Sequence, residues 1–142
     1  MMLVSIDEGS RQPIYLQIVR QIKEQILVGE LGEGDELPSV RELGESLGIS
    51  LHTARSAYQV LSEAGLVRVR LGKRARIAIP NWERGGNSLG DEFTLRVREL
   101  IIDGLLQGTD TDELHRVLDR EIKALSARGA TLGIRDRERN QL

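Results

Sequence analysis

The run Leu37-Pro38-Ser39-Val40-Arg41-Glu42-Leu43, extended by Leu47-Gly48-Ile49-Ser50 and then by Thr53, Arg55, Ala57-Tyr58, Leu61 and Gly65-Leu66, decides the fold of this 142-residue chain. Ser39 with Glu42 three residues on is a capping box: the hydroxyl and the carboxylate each accept from an otherwise orphaned backbone amide. A short helix therefore opens there, with Pro38 marking the approach. Gly48 ends it. Ser50 is a good N-cap for a second helix, whose apolar positions Ala54, Ala57, Tyr58 and Leu61 follow the i, i+3, i+4, i+7 spacing of a face buried on one side. The opposite face carries Leu51, His52, Arg55 and Gln59, and Gly65 closes the helix as a C′ residue. Two such helices around a glycine turn make a helix-turn-helix. In that motif the N-terminal part of the second helix reaches base edges in the major groove of double-stranded DNA, while the first helix approaches the backbone.

Beyond Gly65 the pattern changes period. Val67, Val69 and Leu71 share one parity with Arg68 and Arg70 on the other, and Ala75, Ile77 and Ile79 alternate with Arg76 and Ala78, as in two half-buried strands. The turn is placed at Gly72-Lys73-Arg74. No acidic residue interrupts the chain from Ala64 to Arg76, so this two-stranded wing has a cationic tip suited to lying along phosphates or reaching the minor groove.

Together with Pro13-Ile14-Tyr15-Leu16-Gln17-Ile18, these residues resemble the winged-helix domain of GntR-family bacterial transcription regulators over about residues 3 to 79. The resemblance implies DNA contacts from Arg41 on the first helix of the motif, from Ser50, Leu51, His52, Thr53 and Arg55 on the second, and from Gly72 in the wing. The Ala57-Tyr58 pair and the short C-terminal remainder are most similar to the small YtrA-type subfamily. That likeness implies repression of a nearby operon, often one for a transporter and often including the regulator's own gene. Three positions depart from the family pattern. Leu51 stands where most members have Arg and YtrA-type members Pro, which excludes a bidentate guanine contact and leaves apolar contact with a thymine methyl. His52 replaces a smaller polar residue. The wing reads Gly72-Lys73-Arg74-Ala75-Arg76 in place of the common Gly-x-Gly-Thr, favouring phosphate contact over a tight turn.

On this reading Ser39 and Arg41 fix the first helix of the motif at the DNA backbone, where its N-terminus also offers free amides to a phosphate. Arg55, His52 and Thr53 supply base or near-base contacts. Lys73 and Arg74 add mostly nonspecific affinity.

The rest of the chain is organised around this motif. A first helix is expected from about Pro13 to Val28, with Ile14, Ile18, Ile22 and Ile26 as its core stripe, Tyr15, Val19 and Leu27 beside it, and Gly29 just past its end. Leu3-Val4-Ser5-Ile6 reads as a short strand, and the segment from Gly29 to Glu36 as a connecting loop. Pro80 to Ser88 reads as a linker. Asp91 is expected to cap a helix to about Gln107 with the stripe Phe93, Val97, Leu100, Ile101 and Leu105. Thr109 to Thr111 caps another, bearing Leu114, Val117, Leu118, Ile122 and Leu125. An isolated pair of such helices leaves much apolar surface wet, and a second copy would cover it, so a homodimer reading a pseudo-palindrome is expected. The competing arrangement packs the hairpin onto its own winged helix as a monomer.

The fold class is thus mostly α with a small β-wing. A winged helix-turn-helix occupies residues 1–80, a linker 81–90, a two-helix dimerisation hairpin 91–128 and a charged, flexible tail 129–142. Such a chain has no room for a separate catalytic domain. No apolar run approaches the ~20 residues of a membrane span and no signal segment opens the chain, so a cytoplasmic location away from membranes is expected. The absence of cysteine removes disulfides and thiolate metal sites.

The only histidines, His52 and His115, lie in different elements without carboxylates at metal-ligand spacing, so no metal, cofactor or catalytic residue is assigned. Gly29-x-x-Gly32-x-Gly34 lacks the Lys-Ser/Thr of a phosphate loop. The overall charge of −2 makes the local distribution decisive: acids gather before Glu45 and the wing is basic. A protein-interaction module or a single-strand binder would want exposed aromatic anchors or stacking platforms, and aromatics are 3% of this chain. A small-molecule effector would find no enclosed pocket within one subunit and is expected, if used, at the dimer interface or beside the winged helix.

Overall fold

Pro13 stands immediately before α1 (Ile14–Leu27), where its missing N–H is lost to no helical hydrogen bond and its carbonyl accepts from Leu16 and Gln17. The computed structural model describes residues 4–79 and 89–128, which belong to two units, Met1–Trp82 and Glu83–Leu142. The expected linker, except for Leu89 and Gly90, and the expected tail lie outside the described residues.

In the first unit α1 packs against α3 (Leu51–Glu63), and α3 against α2 (Val40–Leu47). The α1 stripe is buried at Ile18, Val19, Ile22 and Ile26, and meets Ala54, Ala57, Tyr58 and Leu61 of α3 with Leu43 of α2 in one core. Each fully buried Ile or Leu contributes about 1.5–3 kcal/mol relative to an exposed one. The capping box is formed: Ser39 Oγ accepts from Glu42 N at 3.1 Å and Glu42 Oε2 from Ser39 N at 3.4 Å. Gly48 takes the left-handed conformation (φ 66°) that lets the chain reverse into Ser50, whose hydroxyl caps α3 by accepting from Thr53 N. From α3, Tyr58 donates its hydroxyl to the Pro38 carbonyl at 2.6 Å and so fixes the approach to α2.

The wing is shorter than its alternation suggests. Strands β1 (Val67–Arg68) and β2 (Arg76–Ile77) pair antiparallel, with Val67 opposite Ile77 and Arg68 opposite Arg76. Val69 and Leu71 do not join the buried parity: Val69 is 58% exposed and Leu71 wholly exposed. Lys73 N donates to Arg70 O, so a turn with Gly72 at φ 71° begins at Arg70, earlier than Gly72-Lys73-Arg74, and the chain has left the sheet after Arg68. The turn is tight despite lacking Gly-x-Gly-Thr.

The connection before α2 is more than a loop. Leu37 N donates to Ala75 O, Ile77 N to Asp35 O and Gly34 N to Ile77 O, with an antiparallel bridge between Glu36 and Arg76. Residues 34–37 therefore line the second edge of β2, which is paired on both sides.

At the N-terminal end no strand forms over Val4–Ile6; Leu3 lies outside the described residues. Two glutamines of α1 take the place of a partner strand. Buried Gln17 accepts from Asp7 N and donates to Asp7 O and Gln12 O, and Gln21 accepts from Ser5 N and donates to Ser5 O.

The second unit holds α4 (Asp91–Leu106) and α5 (Thr111–Ala127). Gly90, not Asp91, is the N-cap of α4, with Asp91 and Glu92 in the first turn. Asp110 caps α5 by accepting from Glu113 N at 2.8 Å. The helices meet near their connecting turn, where a Cβ on Gly104 would stand 2.6 Å from Leu114 Cδ2. Neither helix has a buried residue. Phe93, Val97, Leu100, Ile101 and Leu105 lie exposed along one face of α4, and Leu118 and Ile122 exposed on α5, while Leu114 is half-buried. At about 100° per residue, Leu95, Ile102 and Leu106 form a further apolar stripe roughly opposite the first.

Replacing Gln17 by Leu leaves three backbone groups of the N-terminal segment without their partner, and is expected to lower stability by about 1–3 kcal/mol in urea denaturation. Amide exchange at Asp7 should accelerate in the same variant.

Candidate nucleic-acid interface

The packing of α3 dictates what it shows to solvent. With Ala54, Ala57, Tyr58 and Leu61 in the core, Leu51, His52, Arg55 and Gln59 point outward. Leu51 is 44% exposed; a Cβ on Gly44 would stand 3.6 Å from its Cδ2 and 3.2 Å from the Ile49 carbonyl oxygen, so the glycine lets the turn and this leucine lie close to α2. Ser50 and Thr53 face each other, their hydroxyl oxygens 2.9 Å apart, and Ser50 also caps the helix. These two hydroxyls organise the start of α3, while Leu51, His52 and Arg55 are presented from it.

The wing folds back beside this helix. A groove of about 610 Å³ runs between the start of α2, α3 and the wing, and it brings together Ser39, Arg55, Gly72, Lys73 and Arg74 of the sequence-derived set. Arg41, Ser50, Leu51, His52 and Thr53 do not line it. Gln59 and Val69 do. The outward face of α3 had already marked Gln59, whereas alternation had placed Val69 inside.

The basic wing divides into two classes of cation. Arg74 Nη2 donates to Glu42 Oε1 at 2.5 Å, and Arg76 donates to Glu36 Oε1 at 2.5 Å and to the Gly34 carbonyl at 2.8 Å. Arg41, Arg55, Arg68, Arg70 and Lys73 are exposed and enter no ion pair among the described residues. Arg74, expected as a phosphate contact, is thus engaged within the protein. The amides expected to be free at the start of α2 are also partly used, since Ser39 N and Glu42 N belong to the capping box.

Tyr58 lies below this junction. Burial, and secondarily the Glu42 carboxylate, push its phenol well above the ordinary range, with Arg74 opposing. It therefore remains a neutral donor to Pro38. Among the described residues no group of three or more His, Asp or Glu side chains is arranged to hold a metal ion, and no helix is long and apolar enough to cross a membrane.

Several known proteins are similar to this chain. The family model described as bacterial regulatory proteins, gntR family, matches residues 14–77. The transcriptional repressor YtrA of Bacillus subtilis (strain 168), of the helix-turn-helix type, is 33% identical over 126 residues, covering 86% of this chain and 93% of that protein. A solved structure described as a transcriptional antiterminator from Listeria monocytogenes EGD-e is 30% identical with a TM-score of 0.73, covering 87% of this chain and 92% of the other. YtrA from Sulfolobus acidocaldarius, described as a GntR-family transcription factor, is 31% identical with a TM-score of 0.51, covering 87% and 99%.

Because Lys73 is an unpaired cation in the wing, Lys73→Ala should make the dependence of log Kobs on log salt less steep by about 0.9 per bound subunit for duplex DNA. A salt titration followed by fluorescence anisotropy measures this; an unchanged slope would remove Lys73 from the interface.

Proposed function

Since this chain belongs to the GntR family of bacterial regulatory proteins, we propose that it is a repressor that binds a pseudo-palindromic operator as a homodimer. Sequence-specific DNA binding as a transcriptional regulator is the role that membership of this family supports. The repressor reading is supported by the YtrA relative, whose length this chain nearly spans.

The observation that carries the reading is the outward face of α3 beside the wing. Leu51, His52 and Arg55 stand in the first turns of a helix whose other face is locked into the core, with unpaired Lys73 in the wing and Arg41 on α2. A helix held in this way offers its N-terminal side chains to base edges as a rigid set. We assign Arg55 and His52 to base or near-base contact, Leu51 to a thymine methyl, and Arg41 and Lys73 to phosphates. Ser39, Ser50 and Thr53 shape the two helix starts and contribute through the amides and hydroxyls left at those ends. Gly72 allows the wing to turn close to the duplex.

Dimerisation is assigned to the apolar stripes of α4 and α5, through exposed Phe93, Val97, Leu100, Ile101, Leu105, Leu118 and Ile122 and half-buried Leu114. Contiguous apolar surface of this kind is a partner surface in soluble proteins. Two-fold association would set two copies of α3 about one helical turn, ~34 Å, apart on DNA. The protein would act in the cytoplasm, with no catalytic step of its own.

Purified protein is expected to bind duplex DNA taken from upstream of its own gene at least ~10³-fold more tightly than a scrambled duplex of equal length. Equal weak binding to both would sink the repressor reading. The paired change Val97→Asp and Ile101→Asp should leave helical content largely unchanged, halve the mass in sedimentation, and weaken operator binding. A dimer that persists would move the interface elsewhere.

A further inference from the structure

Glu42 occupies an unusual position for a residue whose evident task is to cap a helix. One carboxylate oxygen accepts from Ser39 N in the capping box, and the other accepts from the guanidinium of Arg74, 32 residues away in the wing. Neither partner is deeply buried: the side chains of Arg74 and Glu42 are 48% and 47% exposed, and Arg74 lines the groove together with Arg55 and Lys73. An exposed ion pair contributes little to folding stability by itself. What it changes is the charge that the wing offers to DNA.

We propose that Glu42 is a specificity-determining residue: by holding Arg74 it withdraws one cation from nonspecific phosphate binding and fixes the wing at the start of α2. The inference rests on the DNA-binding reading above. A guanidinium that left Glu42 for a phosphate would exchange one charge-assisted hydrogen bond for another of similar strength, a step with little net gain. The exchange would also leave Glu42 as an uncompensated carboxylate facing a polyanion, which opposes it. Arg74 therefore stays with Glu42 in the complex, while its neighbour Lys73, with no such partner, contacts the backbone. Phosphate contacts carry affinity without sequence information, so withdrawing one from the wing lowers binding to all duplexes alike, and discrimination between duplexes rests on the second effect of the pair. The pair also ties the wing to the N-terminus of α2, so the two elements meet the duplex in a fixed relation.

The test uses the full chain and two duplexes, the upstream DNA and its scrambled counterpart, each titrated across a salt series. In Glu42→Gln the amide oxygen retains an acceptor for the capping box while the charge is lost. Arg74 is then free, the slope of log Kobs against log salt becomes steeper by about 0.9 per bound subunit, and preference for the upstream duplex falls several-fold. Arg74→Ala leaves the slope unchanged. A wild-type slope in Glu42→Gln, or a slope flattened by Arg74→Ala as by Lys73→Ala, overturns the proposal. The scrambled duplex keeps the two readings apart: wild-type protein that prefers neither DNA defeats the repressor reading, while the slopes on that duplex still decide the ion pair. Should Glu42→Gln lose its helical circular dichroism, the Arg74→Ala slope decides alone.

Discussion

The arrangement depends on β2 being paired along both edges. Ile77 exchanges backbone hydrogen bonds with Gly34 and Asp35, Leu37 donates to Ala75, and β1 holds the other edge. A two-stranded hairpin alone is marginal in water, and here each strand of the wing has only two paired residues. The third segment makes it persist. Because residues 34–37 run directly into Pro38 and the capping box, the same hydrogen bonds that stabilise the wing also set where α2 begins. Arg76 reinforces the seam by bonding both the Gly34 carbonyl and Glu36. Tyr58 closes the loop from the other side through its bond to Pro38 O. Wing, α2 and α3 are consequently one body, and the groove between them has a defined shape.

This explains which features could be read from the chain and which could not. The helix starts at Ser39 and Ser50, the glycine turn at Gly48 and the buried stripes of α1 and α3 follow from interactions within four or so residues, where capping and periodicity rules act. The outward set Leu51, His52, Arg55 and Gln59 follows from the same stripe. The third edge of the wing was not legible because Gly34-Asp35-Glu36 shows neither alternation nor β-branched residues, and its partners lie about 40 residues away. Alternation misled at Val69 and Leu71 for a related reason. Period 2 describes a paired strand, and pairing stops at Arg68, after which the turn has no buried face to which a side chain could return. Likewise a count of basic residues from Arg68 to Arg76 could not reveal that Arg74 and Arg76 find carboxylates on α2 and on the segment before it.

The acidic residues before Glu45 take on a meaning that net charge hides. Glu36 and Glu42 face Arg76 and Arg74, and Glu33 accepts from the Ile79 amide, so all three fasten the ends of the wing. Within α2, α3 and the wing, the cations that enter no ion pair among the described residues are Arg41, Arg55, Arg68, Arg70 and Lys73. Positive charge is thereby spread across three elements held in one geometry, and an overall charge of −2 is compatible with a local basic surface.

The second unit poses the converse problem, since it has apolar residues and no core. In α4 the stripe of Phe93, Val97, Leu100, Ile101 and Leu105 lies roughly opposite Leu95, Ile102 and Leu106, whereas the apolar residues of α5 keep to a single side. A helix that is apolar on two sides is suited to the interior of a bundle, and one neighbour covers only one of its sides. Closing α5 fully onto α4 would therefore still leave one α4 stripe in water. That mismatch of stripes, more than the total apolar content, is what supports the proposed second copy.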